Sequence, residues 1–275
     1  MLKSLKIHEN IETSLTLADF KKLSHLGEGA YGEVFKVENI HTHKEYAIKR
    51  INKQELDQDQ LVLVQNEIQH QSVLCEIPYI CKIFGLFEDS NNIYIVQEFC
   101  GKELHKLTKN PLYWSTVDIS KKVKIFNQLV YAIDSCHKVG IIHLDIKTEN
   151  VLIDTQDNVS LIDFGLSQHL SNIVGKAVGT IDYLAPELLD DTNPIFTTGA
   201  DCWALGVFLF VLICGDLPFF DERLSGIETK IATAQWNASC LPTNLQPICY
   251  GLFEINLDKR WNTDKILEYL SSIGF

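Results

Sequence analysis

Basic residues are scarce in this 275-residue chain. Its 24 Lys and Arg stand against 36 Asp and Glu, a formal net charge of −12. Nucleic acids and anionic membranes are bound through clustered positive charge, so neither suits this chain as a main partner. No basic stripe along the sequence offsets that balance. Long apolar runs are also lacking. The most apolar one, WALGVFLFVLIC at 203–214, is too short to span a bilayer and suits a buried core helix, so no membrane insertion is expected. Nothing in the first twenty residues reads as a secretion signal, because His8, Glu9, Asn10, Glu12 and Asp19 interrupt them. None of the eight cysteines (75, 81, 100, 136, 202, 214, 240 and 249) forms a CxxC pair. They are expected to be reduced, mostly buried thiols of an intracellular protein, in the cytoplasm, the nucleus or both. Repeats, low-complexity tracts and long linkers are absent. What remains is an ordinary globular composition, 46% hydrophobic and 22% charged, with length for one or two domains.

Residues 143–165 carry the most information: HLDIKTEN, then VLIDTQDNVSLIDFG. Val151 to Ile153 and Val159 to Ile162 are short, β-branched-rich runs separated by DTQDN, the signal of a tight antiparallel hairpin. Such a hairpin lays the loop ending at Asn150 beside the turn starting at Asp163, so Asp145, Asn150 and Asp163 converge. Oxygen ligands of this kind suit a hard divalent cation, and Mg²⁺ is held by one or two carboxylates plus substrate phosphates. Either acid alone reads equally well as a turn residue.

Upstream, residues 1–19 are mixed and polar, a short arm or a helix lying on the body. From Leu23 the pattern is strand-like, and Gly27, Gly29, Gly32 and Val34 complete GxGxxGxV. In dinucleotide-binding folds the last glycine of a similar string opens a helix. Here GEVFKVENI continues as a β-run, so the loop joins two strands; an ordinary glycine hairpin is the other reading. Lys49 ends the run YAIK. Residues 57–75 read as a helix with Leu63, Asn66, Glu67, His70 and Leu74 on neighbouring turns. Residues 93–107 hold a strand that stops at a glycine, and residues 119–138 carry a helical stripe of Val123, Phe126, Leu129, Val130 and Ile133. His41 and His43 lack partners at ligand spacing and read as solvated turn residues.

HxDxKxxN, a hairpin and then DFG together resemble the catalytic loop and metal-binding turn of the eukaryotic protein kinases. From about Phe20 to Leu270 further motifs follow in the family's order: GxGxxGxV, AIK, GTIDYLAPE at 179–187, DCWALG at 201–206 and DKRWN near the end. The resemblance implies an α+β bilobal fold. An arm at 1–19 precedes a small lobe with an antiparallel β-sheet and one main helix (about 20–97), a hinge (about 98–102) and a mainly helical lobe (about 103–275).

It also implies ATP and Mg²⁺ as cofactors and a set of roles. Leu26, Gly27, Glu28, Gly29, Ala30, Tyr31, Gly32 and Glu33 would form the glycine-rich loop, whose backbone amides approach the phosphates. Val34, Ala47 and Leu152 would be apolar plates around the base. Glu98 and Cys100 would supply main-chain hinge contacts beside the gatekeeper Gln97, with Glu103 reaching the ribose or a substrate cation. Lys49 would hold the α- and β-phosphates, oriented by Glu67. Glu67 is chosen over Glu55 and Glu76 because the NEI triplet and its distance from Pro78 fit the family, one extra residue apart. Asn150 and Asp163 would bind the metal, Lys147 would neutralise the moving phosphoryl group, and Asp145 would be the catalytic base. Asp201 would brace the catalytic loop, and Glu187 with Arg260 would anchor the activation segment.

Lys147 in DxKxxN, together with Thr180, implies the serine/threonine type. The expected partners are protein substrates with Ser or Thr acceptors and nearby basic residues drawn by Glu149 and Glu103. Val211 stands where some basic-directed members carry an acid. A separate regulatory protein is also expected. Leu144 replaces the arginine that usually pairs with an activation-segment phosphate, and Lys176 is that segment's only Lys or Arg. Phosphate at Ser167 or Ser171 therefore lacks a good dock, and activity is expected not to require it. Thr148 replaces a common proline. Features similar to calcium/calmodulin-dependent, checkpoint and Aurora kinases are mixed, so no subfamily is assigned. The alternatives are a pseudokinase acting as a nucleotide-binding or scaffolding module, disfavoured because Lys49, Asp145, Asn150 and Asp163 are all present, and a small-molecule kinase, disfavoured by the peptide-binding segment.

Overall fold

A computed structural model describes residues 5, 7–29, 31–173, 179–190 and 192–275. Ala30 and Lys176, singled out above, lie outside the described residues. Alternating and β-branched-rich stretches of the first hundred residues form five strands: β1 (Phe20–Gly29), β2 (Gly32–Asn39), β3 (Glu45–Asn52), β4 (Ile83–Glu88) and β5 (Asn92–Glu98). They pair antiparallel in the order β1-β2-β3-β5-β4. Strand-like residues were expected from Leu23; pairing already begins at Phe20, where Asp19 closes a capping turn with Thr16.

Alternation along the strands gives the sheet two apolar faces. Ile51, Ile83, Ile93 and Ile95 pack under the helix α1 (Gln58–Val73), against Val64 and Ile68. Phe35, Val37, Ile48, Tyr94 and Val96 form the opposite face. Asp57 caps α1 by accepting the Gln60 amide, and the Gln60 side chain reciprocates.

The second part is mainly helical. After β6 (Lys102–Glu103) come α2 (Leu104–Thr108), α3 (Pro111–Trp114) and α4 (Ile119–Lys138). Then follow β7 (Ile141–Ile142), β8 (Val151–Ile153), β9 (Val159–Leu161) and β10 (Gln168–His169). The chain ends with α5 (Thr198–Cys214), α6 (Leu224–Ala232), α7 (Gln246–Leu252) and α8 (Thr263–Ser272). The stripe read at 119–138 is buried as one face of α4, and the 203–214 run lies inside α5, apolar on all sides and central to the large core. Among the described residues no helix is long and apolar enough to cross a membrane. The sheet lobe followed by a helical lobe is the bilobal α+β architecture.

One expectation is corrected. The thiols are not all reduced: Cys214 and Cys240 form a disulfide between Cα atoms 5.7 Å apart. The pair joins the C-terminal end of α5 to the loop after α6 and lies 26 residues apart in sequence, without a spacing motif that could mark it. The other six cysteines are free and buried.

Candidate active site

The loop at 143–150 is shaped from below by Asp201, near the start of α5. Its fully buried carboxylate accepts the main-chain N–H groups of His143 and Leu144, each at 2.8 Å, and a ring N–H from His137 at 2.8 Å. Burial alone pushes the Asp201 carboxyl up. The His137 hydrogen bond, the charges of His137 and His143 and the His143 amide outweigh it and hold the carboxyl below its usual range. Leu144 sits at φ 65, a conformation that costs a branched residue about 1–2 kcal/mol and persists because Asp201 fixes the two amides around it.

Above that brace, Asp145 is buried and held by two neighbours. Lys147 Nζ lies 3.0 and 2.8 Å from its carboxylate oxygens and also donates to Thr180 Oγ1 at 3.1 Å. Asn150 Nδ2 donates to the Asp145 carbonyl at 2.8 Å and to its carboxylate at 2.7 Å. With both amide hydrogens so engaged, the Asn150 side-chain oxygen is the atom a cation would use. β8 and β9 pair as a hairpin, and Ile162 N–H donates to the Asn150 carbonyl at 2.9 Å, which brings Asp163 beside the loop. Asp163 itself stands at φ 63 and accepts the Gly165 amide at 3.2 Å.

Lys49 and Glu67 meet in the same cleft. The ammonium lies 2.6 and 2.7 Å from the two carboxylate oxygens, and both residues are buried. Burial opposes the charge on Lys49, but Glu67 and then Asp163 outweigh it and hold the ammonium above its usual range. A Cβ at Gly165 would stand 3.1 Å from Asp163 Oδ1 and 3.9 Å from Glu67 Oε2, so Asp163 lies beside the pair.

The β1–β2 hairpin covers this cleft, with Gly29 opposite Gly32. A Cβ at Gly27 would point into open space, and one at Gly29 would stand 3.4 Å from Lys49 Cε, so the bare backbone faces the ammonium. Gly32 is glycine for a different reason: a Cβ there would lie 2.0 Å from the Arg50 carbonyl oxygen. Tyr31 turns inward, with its ring centroid 5.9 Å from Lys49 Nζ. Leu26 and Glu28 are exposed, and Glu33 is turned away to an ion pair with Arg50, so these three have only main chain to offer the cleft.

Ala47 lies opposite both Lys36 and Gln97, Val34 opposite Lys49, and Leu152 opposite Glu103. The Glu98 carbonyl receives the thiols of Cys100 at 3.5 Å and Cys81 at 3.7 Å, while the Glu98 amide donates to Lys82. Glu103 pairs with Lys106 at 2.8 Å, and Glu149 with His105 at 3.1 Å. Arg260 grips Glu187 with two bonds of 2.6 and 2.9 Å.

The donor set fits Mg²⁺ with a nucleotide. Asp163 and Asn150 supply oxygen ligands, a glycine-lined hairpin supplies unshielded amides, and Lys49 supplies a fixed cation. Among the described residues no three His, Cys, Asp or Glu side chains gather at metal-binding spacing, so phosphate oxygens would complete the coordination.

The sequence of this chain matches the protein kinase domain over residues 20–270. The chain belongs to the protein kinase family. This kinase is 31% identical over 247 residues to the carbon catabolite-derepressing protein kinase of Candida tropicalis, covering 88% of this chain and 38% of the relative. It is 32% identical over 254 residues to CBL-interacting serine/threonine-protein kinase 2 of Arabidopsis thaliana, covering 88% and 54%. The kinase thus spans well under two thirds of either relative. No subfamily is assigned to it.

Two polar contacts of the kinase were not read from sequence. Gln71, fully buried on α1, donates to the Cys81 carbonyl at 2.7 Å and accepts from Gln97 at 3.1 Å. His70 lies 2.8 Å from Ser167 Oγ, whose own proton goes to the Phe164 carbonyl at 2.5 Å. Neither site leaves a periodicity or motif in the sequence. Their partners lie 26 and 97 residues away.

Proposed function

We propose that this chain transfers the γ-phosphoryl group of Mg-ATP to serine or threonine hydroxyls of protein substrates. The observation that carries the reading is the buried Lys49–Glu67 pair beside Asp163, in the cleft that also holds Asp145. Bound Mg²⁺ would supply charge neutralisation between phosphates, held by Asn150 and Asp163. Lys49, kept in place by Glu67, binds the α- and β-phosphates. Lys147, which bridges Asp145 and Thr180, offsets charge at the transferring group. Asp145 orients the acceptor hydroxyl and takes its proton on a carboxylate oxygen whose position Lys147 and Asn150 fix. Transfer needs little more than such positioning and neutralisation.

Activity without activation-segment phosphorylation belongs to the same proposal. Leu144 offers no cation to a phosphate, and Ser167 is buried with its hydroxyl engaged. A preference for basic residues near the acceptor would draw on Glu103 and Glu149, whose present partners Lys106 and His105 a substrate cation would have to displace. A separate regulatory protein is supported by the relative named for its interaction with CBL. An intracellular setting is proposed on the six buried free cysteines, and the Cys214–Cys240 disulfide is the one feature that opposes it. The deciding assay mixes purified protein, labelled Mg-ATP and a generic protein substrate, with Asp145→Asn as control. Label on serine or threonine that is absent with Asp145→Asn supports transfer. Nucleotide binding without transfer leaves a pseudokinase.

A further inference from the structure

Thr148 stands where the catalytic loop commonly carries proline, and the fold uses the two groups that a proline lacks, a hydroxyl and an N–H. Its side chain is buried where α2, the catalytic loop and the peptide-binding segment meet. The hydroxyl donates to Glu149 Oε2 at 3.1 Å. Its oxygen lies 2.9 Å from His105 Nδ1 on α2, and that same nitrogen lies 3.1 Å from Glu149 Oε1. A carboxylate only accepts, and the Thr148 proton is already engaged, so Nδ1 carries a hydrogen shared between the two oxygens. On the other side stands Tyr183, whose phenol burial takes up to about 12 against the pull of hydrogen bonds with the Thr148 side chain and amide.

Glu149 is thus held on both oxygens and still keeps 42% of its side chain in solvent, within reach of a substrate. Asp182 on the peptide-binding segment is pushed above the usual carboxylate range by burial and then by the charge of Glu149, so the spot is short of positive charge. A cation arriving at Glu149 must take Oε1 from His105. With Thr148 in place, the imidazole N–H gives up one acceptor and keeps the other, and Oε2 stays tied during the exchange. Without that hydroxyl the same arrival strands a half-buried donor, which costs more than a change of partner.

We propose that Thr148 is a specificity-determining positioning residue: its hydroxyl receives the His105 N–H and holds Glu149 while a basic side chain of the protein substrate takes the place of His105. The substrate role rests on the kinase reading above; the binding of a basic peptide can be measured without transfer.

The test walks one arginine through the residues N-terminal to the serine of a short peptide, with glutamine in its place as reference. The preference is the ratio of the two kcat/KM values at the best position. The full chain is compared with Thr148→Val, Thr148→Ser and the double variant His105→Ala, Thr148→Val. Valine keeps the shape and removes the hydroxyl. The expected result is a preference about tenfold lower in Thr148→Val, carried by KM for the arginine peptide, with KM for Mg-ATP within about twofold of the parent. Thr148→Ser keeps the parent's preference. The double variant returns to within about threefold of the parent, because the competing N–H is gone. An unchanged preference in Thr148→Val overturns the proposal, as does a parent with no preference for arginine. So does a loss shared equally by the arginine and glutamine peptides, or one that His105→Ala leaves in place, since either marks a distorted loop instead. Should Thr148→Val fail to fold, Thr148→Ala replaces it with the same readouts. A parent that transfers no phosphate removes the kinase reading, and Kd values of the same peptides, labelled and followed by fluorescence anisotropy, then decide the exchange by the same ratios.

Discussion

α1 and α5 are nearly equal in length, sixteen and seventeen residues, and are held by opposite means. α5 is surrounded by apolar neighbours, with Trp203, Phe208, Leu205 and Leu209 fully buried, and one buried acid, Asp201, at its start. α1 buries two aliphatic side chains and relies on an ion pair, an amide bridge and a histidine–serine contact. Burial of α5 supplies a fixed frame from which Asp201 shapes the catalytic loop. The few polar attachments of α1 make it a helix whose position can be set, and on which Lys49 depends.

The comparison can be broken first at the ion pair. Glu67→Leu leaves Lys49 buried without a partner. The expected loss is about 3–5 kcal/mol of stability, with kcat down about a hundredfold or more. The double variant Lys49→Met, Glu67→Leu should regain most of the stability and none of the activity, measured by urea unfolding and turnover. Phe208→Ala tests the other helix: about 3–5 kcal/mol less stable from the cavity, with kcat of the folded fraction nearly unchanged.

Next comes His70, whose burial pushes its pKa down to about 4, with the charge of His169 adding to the shift. The unfolded chain takes a proton near the ordinary histidine value of about 6.5 and the folded one does not, so stability falls as the pH drops from there to about 4. With allowance for solvent screening the loss is about 2 kcal/mol, and His70→Gln should remove it from the pH dependence of unfolding. The smallest effect is the amide bridge. A double-mutant cycle of Gln71→Leu and Gln97→Leu should give a coupling of about 1 kcal/mol, because each single change strands a buried polar partner.

Two helices of the larger lobe were legible from their apolar residues, one by a period and one by an unbroken run. Val123, Phe126, Leu129, Val130 and Ile133 predicted α4 to its observed ends, and the run at 203–214 announced the inside of α5. The hairpin after Asn150 was legible from two β-branched runs and a polar turn. What escaped depends on partners distant in sequence. Ile11 is a lone aliphatic residue in a polar stretch, and only the fold supplies α1 and β4 around it. Gln71 and His70 occupy an inward face that looks solvated in a polar helix, and Cys214 finds Cys240 without any spacing rule. Glu33, read as part of the loop over the nucleotide, turns outward because Arg50 lies across the register from it.

The hydroxyl of Ser167 has a consequence of its own. Any second enzyme that modifies it must draw that oxygen into its own cleft, and here the oxygen lies inside the molecule, shared between His70 and the Phe164 carbonyl. The helix would have to let go first. A mark found at Ser167 would therefore be a record that the molecule had already opened, and its abundance would count openings and not commands.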